Sequence, residues 1–443
     1  MTHVEDGASK VHDQARDEAP FLPQSRLVLL AVLVGVVLFT SLGRYRDPIG
    51  EKHFPLMEPG AADFSVIFDG TRVFLDGHNP YYYRDHDSMD RWQRVDIIGG
   101  RWFRVAYQPS HFLVYIPVAL ITTNNREAAR IVFVITVALY MLLAFQTWRL
   151  VLRAADPPDP MRRLSLLLLP LFAFLLLDNT GTALALARCQ SDVINAALCW
   201  AALASFLKGK RFWPMFLVTS AMAMKGYPVI LGAGLFFLGL RRGEWFKVVG
   251  GVLAASAFWL LPVLPYLHDG AIAAYSHATG FFTAESLNHS FRNLFFHIAP
   301  GLAEPGRNVA FIVTLGATAG CWWHARAALR AKDVRSSTLW LCLFGTAALL
   351  TMLGFSTVSF IYNEILILPG LLVLLTMGDT IWRGCGLRPG IRRMAFAAEC
   401  TAGILMFTDI MPPLTMPLAA VGDALLALLL ALAAASRFRN AGA

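Results

Sequence analysis

The chain is poor in charge. Of its 443 residues only 15% are Asp, Glu, Lys or Arg, and its mean hydropathy is +0.53. A soluble domain carries about 25% charged residues, so this composition excludes an ordinary water-exposed globule. Familiar chemical motifs are missing too: no Walker motif, HExxH, GxSxG or dinucleotide fingerprint occurs. Sequence support for nucleotide hydrolysis, zinc peptidase chemistry, serine hydrolysis or dinucleotide binding is therefore absent. Six cysteines (Cys189, Cys199, Cys321, Cys342, Cys385 and Cys400) are present, none in a CxxC pair, and all lie in or beside apolar segments. They read as small core residues, not as a disulfide framework or a metal site. Asp85-His86-Asp87 sits among Asp90, Arg91 and Arg94 and reads as a solvated face. No metal and no cofactor are expected. No internal repeat is visible, which leaves an inverted-repeat transporter design without direct support.

What is present is a succession of long apolar runs. Leu27–Leu42, Ile131–Leu152 and Leu418–Ala435 carry almost no charge over spanning or near-spanning lengths. A β-barrel would instead show short alternating strands. The expected class is an all-α polytopic membrane protein. Its formal net charge of +8 does not point to nucleic acid, because the cations cluster between apolar segments as the positive-inside rule expects. The polar stretch 1–26 reads as a disordered cytoplasmic tail, and the first apolar run as an uncleaved anchor.

Basic loops set the topology. They are Arg149–Arg163, Lys208–Arg211, Arg241–Lys247, His324–Arg335, Arg383–Arg393 and Arg437–Arg439. Placing all of them in the cytoplasm divides 27–436 into about 12 spans, with the C-terminal residues 437–443 also cytoplasmic. The spans are 27–43, 128–150, 164–178, 191–207, 212–225, 227–240, 246–264, 307–324, 338–355, 362–378, 394–409 and 417–436. Gln108–Ile121 is short of the ~20 residues of a spanning helix and holds two prolines; it reads as re-entrant or interfacial. The outer face then receives a long first loop, 44–107, carrying amphipathic helices, and a second large loop, 266–306. It also receives Asp178–Asp192 and Ser356–Glu364.

The first outer loop contains Ala61–Tyr83, AADFSVIFDGTRVFLDGHNPYYY. At ~100° per residue, Asp63 shares a stripe with Val66, Ile67, Gly70, Val73, Phe74 and Gly77. Asp69, Arg72 and Asp76 fall on the other side with spacing for mutual pairing. One acid is thus set on an apolar face, and two others flank a cation. Lys225 lies at a Lys-Gly-Tyr-Pro break between two short apolar helices. An ammonium at such depth is costly and must snorkel, pair with an acid or bind an anion. Arg292 is a further outer cation, in Asn288-His289-Ser290-Phe291-Arg292-Asn293. Gln190, Asp192 and Asn195 stand where a helix begins, and the i, i+3 spacing of Asp192 and Asn195 lets both face one cavity. A carboxylate to deprotonate a hydroxyl, with cations for a departing phosphate, suits inverting glycosyl transfer at the membrane surface.

In this order the motifs resemble those of GT-C glycosyltransferases, most of all glycosyltransferase family 87, the polyprenyl-phosphate-mannose-dependent mannosyltransferases. Asp63-Phe64 is followed by Leu75-Asp76-Gly77-His78-Asn79-Pro80-Tyr81, similar to the family's L-x-G-x-x-P-Y. Tyr107-Gln108-Pro109 resembles Y-x-P, and Cys189-Gln190-Ser191-Asp192-Val193-Ile194-Asn195 resembles the G-Q-x-N region. Lys225-Gly226-Tyr227-Pro228 resembles K-x-x-P, and Asn288-His289-Ser290 resembles N-Q-S. Five positions depart from the pattern: Cys189 stands for glycine, His289 for glutamine, Thr357 for proline, and Tyr362 and Asn363 for two histidines.

The resemblance implies a GT-C fold, an exofacial site and inversion at the sugar. It implies a polyprenyl-phosphate-linked donor, mannose or similar, with a lipid or glycan acceptor. It makes Asp63 the general base and places cations at the donor phosphate, here Lys225 and Arg292. Tyr81, Gln190, Asp192, Asn195, Asn288, His289 and Tyr362 are the substrate-contact candidates, with Asp69, Arg72 and Asp76 as structural support. The expected location is a bacterial inner membrane, multi-pass, with both termini cytoplasmic and membrane lipids as partners. Two other classes fit the same features: a transporter or flippase of lipid-linked glycans, and an inactive family member that binds lipid-linked sugar.

Overall fold

A computed structural model describes residues 24–46, 62–77, 109–177, 182, 185–186, 189–240, 243–267, 290–356, 361–407 and 415–440. Among them there is no strand. The helices are α1 (Gln24–Arg46), α2 (Ala62–Leu75), α3 (Pro109–Ile121), α4 (Asn125–Ala155), α5 (Leu168–Leu177), α6 (Asp192–Leu207), α7 (Phe212–Met224), α8 (Val229–Gly239), α9 (Trp245–Leu260), α10 (Phe291–Ile298), α11 (Ala303–Arg330), α12 (Val334–Phe355), α13 (Leu368–Gly384), α14 (Pro389–Phe407) and α15 (Thr415–Asn440). Five stretches are long and apolar enough to cross a membrane: Asn125–Ala155, Asp159–Leu177, Trp245–Val263, Val334–Phe355 and Leu418–Ala435. The chain is thus an all-helical, multi-pass membrane protein by length and composition. Tyr81, Asn288 and His289 lie outside the described residues.

α12 is the central helix. It has no charge beyond Arg335 near its start, and nearly every residue from Ser337 to Gly354 is buried. α4, α8, α11 and α13 pack around it. Its threonines, Thr338, Thr346 and Thr351, return their hydroxyls to carbonyls one turn earlier at 2.7–2.8 Å, so these three hydroxyls are satisfied within the packed interior.

Three short helices position the site. At 1.5 Å per residue α6 rises about 24 Å, α7 about 20 Å and α8 about 16 Å, all short of a ~30 Å hydrocarbon core. α7 and α8 form an antiparallel hairpin, which follows from where Gly239 lies. A Cβ on Gly239, at the end of α8, would meet Arg211 at the start of α7, Phe206 at the end of α6 and Val248 at the start of α9. These four ends gather on the side of the basic loop Lys208–Arg211. Asp192 and Lys225 stand at the opposite ends of these short helices.

α3 and α2 cover that level. α3 has 13 residues, rising about 20 Å, the same length as α7. It turns at Thr122–Asn124 directly into the 31-residue α4, whose N-terminus Asn124 caps by accepting from Arg126 and Glu127 amides. α2 packs closely on α3. A Cβ on Gly70 would stand 2.5 Å from the Phe112 ring, and the Thr71 hydroxyl donates to the Phe112 carbonyl at 3.1 Å.

At the basic end, α1 begins at Gln24, so the helix enters the stretch expected to be tail. Arg26, 2% exposed, is ion-paired with Glu399 of α14, which has no exposure. Its guanidinium also lies 4.8 Å from the Phe396 ring, and the Trp382 indole N–H donates to Glu399. The cation is therefore drawn inward by a buried acid. Glu399→Ala, which leaves the arginine buried alone, is expected to cost roughly 3–5 kcal/mol as a lowered unfolding midpoint in detergent. Replacing both residues with leucine and methionine should restore most of it. An unchanged midpoint in the single variant would contradict this anchoring role.

Candidate functional site

Lys225 caps α7 in an extended conformation, φ −146° and ψ 132°, which carries its side chain away from the helix axis. Its Nζ lies 2.7 Å from Oδ2 of Asp192, the first residue of α6. Asp192 has no exposure and Lys225 has 15%. Of the three ways to tolerate a deep ammonium, the structure uses pairing with an acid. The expected phosphate contact is thus an ion pair in the ligand-free protein.

Around the pair, α6 presents a polar stripe. Ser191, Asp192 and Asn195 are all fully buried, and side chains tilt toward a helix N-terminus, so Asn195 leans back over Ser191. Neither end of the Asn195 amide and not the Ser191 hydroxyl has a hydrogen-bond partner among the described residues. Such groups are costly unless solvent or a ligand meets them. Gln190 is buried beside them, its backbone N–H bonded to Ala185 at 2.8 Å.

Two other segments reach the same place. From α3, the Ser110 hydroxyl bonds to the Ala223 carbonyl, and His111 Nδ1 donates to the Met224 carbonyl at 3.2 Å. These are last-turn carbonyls of α7, left without helical partners; α3 thereby clamps the end of α7 beside Lys225. From the segment before α13, Asn363, fully buried, donates to the Tyr227 hydroxyl at 3.3 Å. Tyr362, beside it, has a described backbone in the 3-10 turn Ile361–Leu366, and its side chain lies outside what is described. Ser110, His111 and Asn363 are site residues that the sequence did not single out for a role. Polar residues after Pro109 in an otherwise apolar short segment were the available signal for the first two.

α2 joins through aromatic packing. Phe64 meets Tyr115 of α3 edge to face at 5.6 Å, and the Tyr115 hydroxyl donates to the Cys189 carbonyl at 3.2 Å. Cys189 leads directly into Gln190–Asp192. Asp63 is the second residue of α2, adjacent to Phe64; its side chain lies outside the described residues. The segments at Phe64, 110–115, 189–195, 225–227 and 363 are thus linked by contacts. Cys189 has φ +48°, a left-handed conformation that favours glycine, which accounts for the glycine of the resembled motif. Its thiol packs inward toward the Ala129 carbonyl at 3.5 Å.

Two assignments differ from expectation. Arg292, in the first turn of α10, is bound to Glu304 through Nε at 2.6 Å, on elements other than those that meet at Lys225. Asp69 does not lie on an open side of α2. It is 9% exposed and accepts from Asn125 Nδ2 at 3.2 Å, while the Arg72 guanidinium donates to the Thr123 carbonyl at 2.9 Å. The reason is that α2 packs on two neighbours, α3 and the start of α4, which widens its buried arc beyond one stripe. Asp76 is exposed. Asp69 and Arg72 both support the Thr122–Asn125 turn, and the Arg72 charge also acts on Asp69.

The first described residues that could hold a metal do not form a group: among the described residues no cluster of three His, Cys, Asp or Glu has metal-site geometry. No family model matches the chain, and no curated relative matches it. Among solved structures it is similar to the crystal structure of ArnT from Cupriavidus metallidurans bound to undecaprenyl phosphate. The identity is 14% and the TM-score 0.40, covering 94% of this chain and 78% of that one. The apo state of the same protein gives 13%, a TM-score of 0.39 and the same coverage. At these values the likeness leaves fold family and activity to be argued from the chain's own residues.

Burial in α2 pushes the Asp69 carboxyl up to about 6, against the smaller opposing effects of Asn125 and Arg72. Its ordinary value is 3.8. The folded state then binds the proton more tightly than the unfolded state, so stability is greatest below about pH 4 and falls as pH rises to about 6. At ~1.4 kcal/mol per pH unit the loss is roughly 3 kcal/mol. Asp69→Asn should flatten this part of the stability profile, measured by thermal unfolding from pH 4 to 7. A profile unchanged by the substitution would show that Asp69 is not the titrating group.

Proposed function

We propose that the chain is a GT-C-type membrane glycosyltransferase that moves a sugar, mannose or similar, from a polyprenyl-phosphate donor to a lipid or glycan acceptor. The observation that carries this reading is the convergence of separate motif segments. The α2 start with Asp63, the clamp from α3, the Asp192–Asn195 stripe and Lys225 are linked contact by contact, although they are far apart in sequence. The proposed setting is the outer face of a bacterial inner membrane, with about 12 spans and both termini inside.

In this reading Asp63 accepts the proton of an acceptor hydroxyl. That oxygen attacks the anomeric carbon, the bond from that carbon to the phosphate oxygen breaks, and polyprenyl phosphate leaves with inverted sugar stereochemistry. Lys225 stabilises the phosphate charge by turning from Asp192 toward it, a compact ammonium suited to a point contact. Asp192, freed from the lysine, and Asn195 and Gln190 then meet sugar hydroxyls. Arg292 is paired with Glu304 on elements other than those that meet at Lys225, so Lys225 is the principal cation of the proposed step. Asn363 holds Tyr227 and with it the Lys225–Pro228 turn. Tyr81, Asn288, His289 and Tyr362 remain proposed substrate contacts from the flanking loops.

The test uses the purified protein in proteoliposomes, a panel of polyprenyl-phosphate sugars and a membrane lipid extract. Asp63→Asn is expected to lower transfer at least about 100-fold, the usual weight of a general base, with an unaltered unfolding midpoint. Transfer near the wild-type rate in that variant would sink the assignment. Movement of the labelled lipid between leaflets without any glycosylated product would favour a flippase.

A further inference from the structure

A second charged cluster stands at the start of α11. Glu304 accepts from Arg292 Nε at 2.6 Å and from Arg307 at 2.8 Å. One carboxylate thus serves two guanidiniums, leaving a net positive charge and several unused N–H donors. The three side chains are partly open, at 27%, 18% and 51% exposure for Arg292, Arg307 and Glu304. Arg307 also stacks over the Phe355 ring at 4.9 Å, which fixes its plane.

The helix itself indicates the depth of this cluster. From Arg307 to Arg326 α11 rises about 28 Å, close to a ~30 Å hydrocarbon core. Arg326 lies 5.4 Å from the Trp322 ring, the pairing of cation and aromatic found at a membrane–water boundary. With Arg326 at one boundary that rise sets Arg307 at the other, although α11 is not among the five stretches apolar enough to cross. Between the two, Val309, Ile312 and Leu315 are 60%, 68% and 41% exposed on one face. The other face, with Thr314, Ala317, Cys321 and Ala325, is packed inward. α10 adds the exposed Phe296 and Ile298 beside the cluster. An apolar stripe thus runs down from a cationic head.

We propose that Arg292 and Arg307 form a headgroup site for an anionic phospholipid of the outer leaflet, whose acyl chain lies along Val309, Ile312 and Leu315. The phosphate oxygens take the guanidinium donors in forked hydrogen bonds, and Glu304 competes for the same donors in the lipid-free protein. A zwitterionic lipid carries its own ammonium and gains less from the net charge. The site is independent of the transfer reaction and does not use Lys225.

The experiment is native mass spectrometry of the full chain extracted from mixed phosphatidylglycerol and phosphatidylcholine bilayers, counting retained lipids. Wild type should retain phosphatidylglycerol preferentially, and Arg292→Gln with Arg307→Gln should lower that preference by about fivefold per cation removed. Glu304→Gln should raise it, because the competing acid is gone; loss of a purely structural ion pair would not. Equal retention of the two lipids by wild type, or a preference untouched by the double variant, overturns the proposal. So does a preference lowered by Glu304→Gln. Displacement of phosphatidylglycerol from wild type by equimolar polyprenyl phosphate would overturn the phospholipid assignment and give the site to the lipid carrier.

Discussion

The Lys225–Asp192 ion pair constrains the rest of the site. A charge partway through a bilayer is tolerated only with a partner and a polar surround. Here the partner comes from the first residue of α6 and the lysine from the tip of the α7–α8 hairpin. Both must stop at the same level for the pair to form, and the short lengths of α6, α7 and α8 bring them there. The pair also fixes what can lie above it. The free carbonyls at the end of α7 need donors, and α3 supplies Ser110 and His111.

α3 then becomes the platform for α2. Phe64, Phe68, Phe112 and Tyr115 form a small aromatic cluster with Val132 and Cys189, separate from the main core centred on α12. This second core holds the start of α2, and with it Asp63, to the segment that opens α6. The start of α2, which carries the proposed base, and the α7–α8 hairpin, which carries Lys225, are thereby joined through packed side chains. In physical terms, the proposed reaction needs an acid–base group on the water side and a cation on the lipid-phosphate side. The two cores provide the two supports.

Much of this could be read from the sequence, and the exceptions have specific causes. The helix boundaries came close because apolar length and basic loops reflect the bilayer directly: α6, α7, α12 and α15 fall within a few residues of the expected spans. The i, i+3 spacing of Asp192 and Asn195 was informative because helix geometry is local. The partnership of Asp192 with Lys225 was not, since it joins residues far apart in the chain. Asp69 misled for the opposite reason: a single-stripe picture assumes one packing partner, and α2 has two. Cys189 looked like a departure from a motif, yet its positive φ shows a backbone requirement that a sequence pattern records only as a preference for glycine. Arg26 looked like tail because its partner, Glu399, lies near the other end of the chain.

The most direct measurement is a cryo-electron microscopy map of the protein with a non-transferable phosphonate analogue of a polyprenyl-phosphate sugar. The account predicts phosphonate density against Lys225, with the Asp192 contact opened, and the sugar between Asn195 and the start of α2 near Asp63. Phosphonate density elsewhere, with the Lys225–Asp192 pair intact and no sugar near α2, would contradict it.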